Sequence, residues 1–138
     1  MRPDHFDHFD AVAVQPLSVV RHLALLYATQ GPAYAGVTDE GIVICLAGFR
    51  LLRPRTAEGW AIMSTAMPAH WRWMHRTVAQ MLPEHIRLLN LRRVEITVEA
   101  TFLQGQRWAE ALGFVNETPD GMAQFGPNGE RHYLYARV

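Results

Sequence analysis

Val94-Glu95-Ile96-Thr97-Val98-Glu99-Ala100, then residues 101–112, then Gly113-Phe114, is the stretch on which the fold is decided. The first seven residues alternate apolar and polar, the period of a strand with two unlike faces. Residues 101–112 are long enough for a helix. Leu112-Gly113-Phe114 ends it with a glycine where a helix C-terminus favours positive φ, and the apolar residue after the glycine starts another strand. Glu95, Thr97 and Glu99 share one face of the first strand because side chains alternate along it.

Working outward, residues 68–82 predict a helix with Pro68 in its first turn and Trp71, Met74, Val78 and Met81 as the apolar stripe. Pro83 is expected to interrupt it, with residues 84–91 as a further short helical segment. Residues 59–64 read as a short strand before that helix. Residues 34–37 and 42–51 read as a hairpin around Asp39-Glu40-Gly41. Upstream, residues 9–14 have strand character. Residues 19–29 carry helical spacing at Val19, Leu23 and Leu26, with Ser18 as N-cap. Gly121-Met122-Ala123-Gln124-Phe125 and His132-Tyr133-Leu134-Tyr135-Ala136-Arg137 read as closing strands around a turn at Pro127-Asn128-Gly129. Strands 59–64 and 94–100 are each followed by a helix that must cross the sheet, so they are predicted to be central and parallel.

Composition narrows the class. At 138 residues the chain is one domain, and 49% hydrophobic content suffices for a single core. A formal net charge of zero argues against a nucleic-acid partner. No apolar run reaches the length of a membrane span, and residues 1–10 lack the basic and apolar regions of a signal peptide. The lone Cys45 excludes an intramolecular disulfide and any multi-cysteine metal site. All 13 basic residues are arginine, so no lysine side chain can accept an acyl group. Asp4-His5-Phe6-Asp7-His8-Phe9-Asp10 has metal-ligating residue types, but no second cluster completes a site. Residues 1–8 are expected to form a mobile, partner-binding arm and no metal site.

Strand, helix, Leu-Gly-Phe, strand resembles the C-terminal half of the GNAT acetyltransferase fold. The closing segments are similar to those of GNAT-like proteins of tailed phages and prophages, in particular small internal virion proteins of short-tailed phages. The resemblance implies an α/β protein with a mixed sheet in the order β-α-β-β-β-α-β-α-β-β, flanked by helices on both faces. It implies an acyl-CoA-dependent N-acetyltransferase using acetyl-CoA, with an amine as acceptor. The alternative it carries is a catalytically degenerate GNAT fold serving as a structural part of a phage particle. Phage structural proteins or a second copy of the chain would then be its partners. The expected location is the host cytoplasm or the virion.

In that family backbone amides at a helix start after the fourth strand bind the pyrophosphate, through a Gln/Arg-x-x-Gly-x-Gly/Ala loop. The matching place here is Ser64-Thr65-Ala66-Met67-Pro68-Ala69-His70, which has no glycine. The resemblance therefore puts Ser64, Thr65, His70 and Arg72 at the cofactor, while a capped helix start with no ligand is the plain alternative. The helix at 101–112 lacks the family's tyrosine, with Phe102 and Ala109 at the corresponding places. Glu99 and Glu95 are the candidate bases and Tyr133 the nearest substitute acid, with Tyr135 beside it. Salt bridging to Arg92, Arg93 or Arg107 is the structural alternative for the two carboxylates. Trp71 and Trp73 cannot both face the core from one helix, so one of them is expected at the surface.

Overall fold

The computed structural model describes residues 6–8, 14–15, 31–65 and 67–138. Its strands are β1 (Phe6–His8), β2 (Val14–Gln15), β3 (Ala33–Val37), β4 (Val43–Arg53), β5 (Thr56–Ser64), β6 (Arg93–Glu99), β7 (Val115–Asn116) and β8 (His132–Arg137). Its helices are α1 (Trp71–Leu88), entered through a 3-10 turn at Met67–His70, and α2 (Leu103–Ala111). All eight strands form one mixed sheet. The path runs β2-β1-β5-β6-β8-β7, with β4 on the other edge of β5 and β3 outside β4.

β5 and β6 are parallel neighbours, as predicted, but their shared register is short. It covers Thr56, Ala57 and Glu58 opposite Arg93, Val94 and Glu95. Beyond Glu58 the two strands part, so the stretch at 59–64 marks the divergence and not the pairing. β1 sits in the gap. Met63 pairs with Cys45 of β4 and also with Asp7 of β1. A strand has two edges, so β1 must lie on the edge that faces β6. The β6 register stops at Glu58 and the β1 register begins at Ile62, so Gly59, Trp60 and Ala61 fall between the two.

One face of the sheet carries Cys45, Ala61, Met63, Val94, Val98 and Tyr135, all buried. Against it pack α1 through Met74 and Leu82, and α2 through Ala109. The predicted helix at 19–29 lies outside the described residues, as do residues 9–13.

Two expectations need correction. Helix α1 runs through Pro83 without a break. Proline removes one N–H, but Pro83 and Ala79, whose carbonyl loses that bond, are both exposed, and water can satisfy it. Buried Leu82 and His85 hold both sides of the proline to the core. Residues 121–125 are no strand; only Met122 bridges to His132. Positive φ at Gly121 (79°) and Gln124 (57°) breaks the extended backbone there. The hairpin of β3 and β4, the helix end at Gly113 (φ 90°) and the last strand stand as predicted.

Candidate functional site

The parted strands define the site. At the N-terminal end, where β5 and β6 are paired, charged side chains pair along and beside the two strands. Arg50 reaches both carboxylate oxygens of Glu58 at 2.9 Å. Glu95 accepts from Arg93 Nε at 2.6 Å and lies 3.9 Å from Arg53. Arg93 also forks onto Glu117, with Nη1 to Oε2 at 3.0 Å. That pair lowers the Glu117 pKa and raises that of Arg93. Glu95 is therefore engaged by arginine at the closed end.

Glu99 is at the open, C-terminal end of β6, the end at which α/β sheets place ligands. Its carboxylate accepts from the Thr101 hydroxyl at 3.0 Å. The turn after it is tied down by Gln106, whose Nε2 donates to the Ala100 carbonyl at 2.8 Å. Tyr133 lies opposite Val98 in the β6–β8 register and His132 opposite Glu99, so Tyr133 and Glu99 project from opposite faces. Tyr135 follows on the face of Tyr133 and is buried. That burial, with Glu110 and Tyr133 nearby, raises its pKa.

One junction carries Ser64, Thr65, His70 and Arg72, between β5 and α1. Ser64 is buried at the strand end and Thr65 is exposed. His70 is the N-cap residue of α1 without a side-chain cap bond, and Arg72 is exposed on the first turn. The first amides of a helix attract anions, and an exposed arginine there adds positive charge.

Three features escaped the sequence reading. Tyr34 Oη lies 2.6 Å from His85 Nε2, while His85 Nδ1 lies 2.9 Å from the Met81 carbonyl. A carbonyl only accepts, so Nδ1 carries the hydrogen and Tyr34 donates to Nε2. Phe49 stacks on the same imidazole at 5.5 Å. Trp108 Nε1 donates to His75 Nδ1 at 3.2 Å. Fully buried His132 has its Nδ1 3.2 Å from the Glu130 carbonyl and packs on Phe125 at 5.1 Å. The partners in the first two pairs are 51 and 33 residues apart, and no sequence periodicity connects them. Trp71 packs edge-on against Trp108 at 5.2 Å, whereas Trp73 is 41% exposed and lies over Gly36. Among the described residues no group of three or more His, Cys, Asp or Glu side chains could hold a metal ion, and no helix is long and apolar enough to cross a membrane.

No protein-family model matches the chain. No curated protein is significantly similar to it. Solved structures are similar in fold. An acetyltransferase of the GNAT family from Bacillus anthracis superposes with a TM-score of 0.69 at 14% identity, over 91% of this chain and 76% of that one. Spermidine N-acetyltransferase from Vibrio cholerae, in complex with CoA and spermine, gives 0.68 at 13% identity, over 89% and 75%. Ribosomal-protein-S5-alanine acetyltransferase from Vibrio fischeri gives 0.67 at 16%, over 88% and 68%. The fold is that of the GNAT acetyltransferases.

Proposed function

We propose that the chain binds an acyl-CoA thioester in the wedge between β5 and β6 and acts as an N-acyltransferase of GNAT type on an amine. The observation that carries this reading is the parting of two central parallel strands after Glu58 and Glu95, directly before a helix that starts with a cationic first turn. The CoA complex of a protein with the same fold supports it.

The residues fit the cofactor in part. His70, Arg72 and the α1 amides would hold the pyrophosphate, with Ser64 and Thr65 at the turn; Pro68 contributes no amide. When bound, the cofactor supplies an activated acyl group. Glu99, at the open end, would take the proton of the amine, directly or through water. Tyr133, on the opposite face, would return a proton to the departing thiolate. β1 competes for the edge of β5 that the cofactor's arm would use.

The second reading is a catalytically silent GNAT domain with a structural role, as in a phage particle. It is favoured by the occupied edge and by α2, which has Phe102 as N-cap and Ala109 buried where a proton donor would stand. General acid–base groups contribute on the order of 10²–10⁴-fold, so acetyl transfer to common amines is expected to be slow. Calorimetric titration of acetyl-CoA into the whole protein tests the first reading. Binding that weakens at least tenfold in Arg72→Glu supports it, and an affinity indifferent to that change refutes the placement. Turnover with a defined amine, lost in Glu99→Gln, would exclude the structural role.

A further inference from the structure

Under α1 the packing is incomplete. A cavity of about 270 Å³ lies between that helix and the sheet. An apolar cavity of about 150 Å³ engineered into another protein stays dry and takes up benzene, so this one exceeds the space of a single ring. Its floor consists of the small residues Gly36, Ala47, Gly59 and Ala61 on β3, β4 and β5 and of Ile96 on β6, and its roof of Met74, Thr77, Val78 and Met81. The floor crosses β3, β4, β5 and β6 in order. Three strand spacings of about 4.8 Å make it about 14 Å long.

Among the described residues no charged side chain lines it. Three polar groups on the wall have partners within the protein: the Tyr34 hydroxyl donates to His85, the Trp108 indole to His75, and the Cys45 thiol to Met74 Sδ at 3.5 Å. Burial raises the pKa of that thiol, so it stays neutral. Such a wall offers a ligand contact area and little to hold a polar head, which must remain at a mouth. The β6 end of the floor, at Ile96, adjoins Gly59, Trp60 and Ala61 of β5. These are the residues at the divergence of β5 from β6, where the candidate site begins.

We propose that the cavity binds an unbranched acyl chain whose carbonyl end lies in the wedge. An extended chain advances about 3.5 Å per three bonds, so a length of about 14 Å takes a chain of about ten to twelve carbons. The chain arrives either as a thioester, in which case the inference rests on the reading above, or as a free fatty acid.

Titration of decanoate, acetyl-CoA and decanoyl-CoA into the intact protein separates the two sources. Each buried methylene is worth about fourfold in affinity. Decanoyl-CoA is therefore expected to bind at least about a hundredfold more tightly than acetyl-CoA. Ala47→Leu fills the void from the floor and Thr77→Leu from the roof. Either should weaken decanoyl-CoA and decanoate at least about tenfold, leave acetyl-CoA unchanged and, without ligand, melt no lower than the parent. Thermal melts identify a variant that fails to fold, and the opposite wall then serves. Decanoate binding without any CoA ester binding upholds the cavity with the free acid as source, and the thioester reading fails. Equal affinity for the two esters with no decanoate binding overturns the cavity and leaves the thioester reading intact. Affinities that neither filling variant alters, or no binding by any of the three compounds, overturn it as well.

Discussion

The two ends of the β5–β6 pair are built on different principles. At the closed end the backbones share a register, and the flanking positions hold an ion-pair network of Arg50, Glu58, Arg53, Glu95, Arg93 and Glu117. At the open end the register is gone, and the surroundings are small and apolar side chains under α1. Paired charges gather where the strands meet, and apolar packing takes over where they separate. Glu95 and Glu99, four residues apart on one face, therefore have different prospects: arginine holds the first, and a hydroxyl bonds the second.

The contrast predicts that the apolar layer carries most of the stability. Met74→Ala removes a buried side chain from the roof and should cost about 2–5 kcal/mol in denaturant unfolding. Arg93→Ala deletes two partly exposed ion pairs and should cost about 1 kcal/mol. Were the arginine variant the less stable of the two, the proposed division of labour would be wrong.

That division was half legible. The alternation of 94–100 and Leu112-Gly113-Phe114 announced the parallel strand, the helix and its end, because each depends on local backbone chemistry. Pro83 misled, since what keeps α1 whole is the burial of Leu82 and His85, a tertiary effect. At 121–125 apolar residues suggested a strand, but positive φ at Gly121 and Gln124 decided otherwise. The junction residues Ser64, Thr65, His70 and Arg72 were named through the family resemblance, since no pattern in the segment itself marks them. The cavity left no sequence signal, because a void is a property of how side chains from six elements fail to meet.

A finer test concerns β1. If its pairing with β5 excludes the cofactor's arm, the apparent dissociation constant is the intrinsic one divided by the fraction of molecules with a free edge. Asp7→Pro removes an amide opposite Met63 and should tighten acetyl-CoA binding several-fold. Unchanged binding would mean that strand and cofactor do not share the edge.

The smallest expected effect is on pH dependence. Arg93 lowers the Glu117 pKa, so this pair's stabilisation is fully present above the ordinary carboxylate range and fades as pH falls through the folded value. Arg93→Ala should therefore lose less stability below that range than at neutral pH. A cost that stays constant from neutral pH down into strongly acidic solution would show that Glu117 is not the partner that matters.

The division of the β5 edge has a mechanical side as well. β4 grips β5 through eight registered pairs, β1 through three. Tension applied to the chain ahead of β1 is borne first by the three-pair contact. A pull in that direction would load β1 ahead of β6, which also holds β5 through three pairs, and would bare the edge at Ile62, Met63 and Ser64 first.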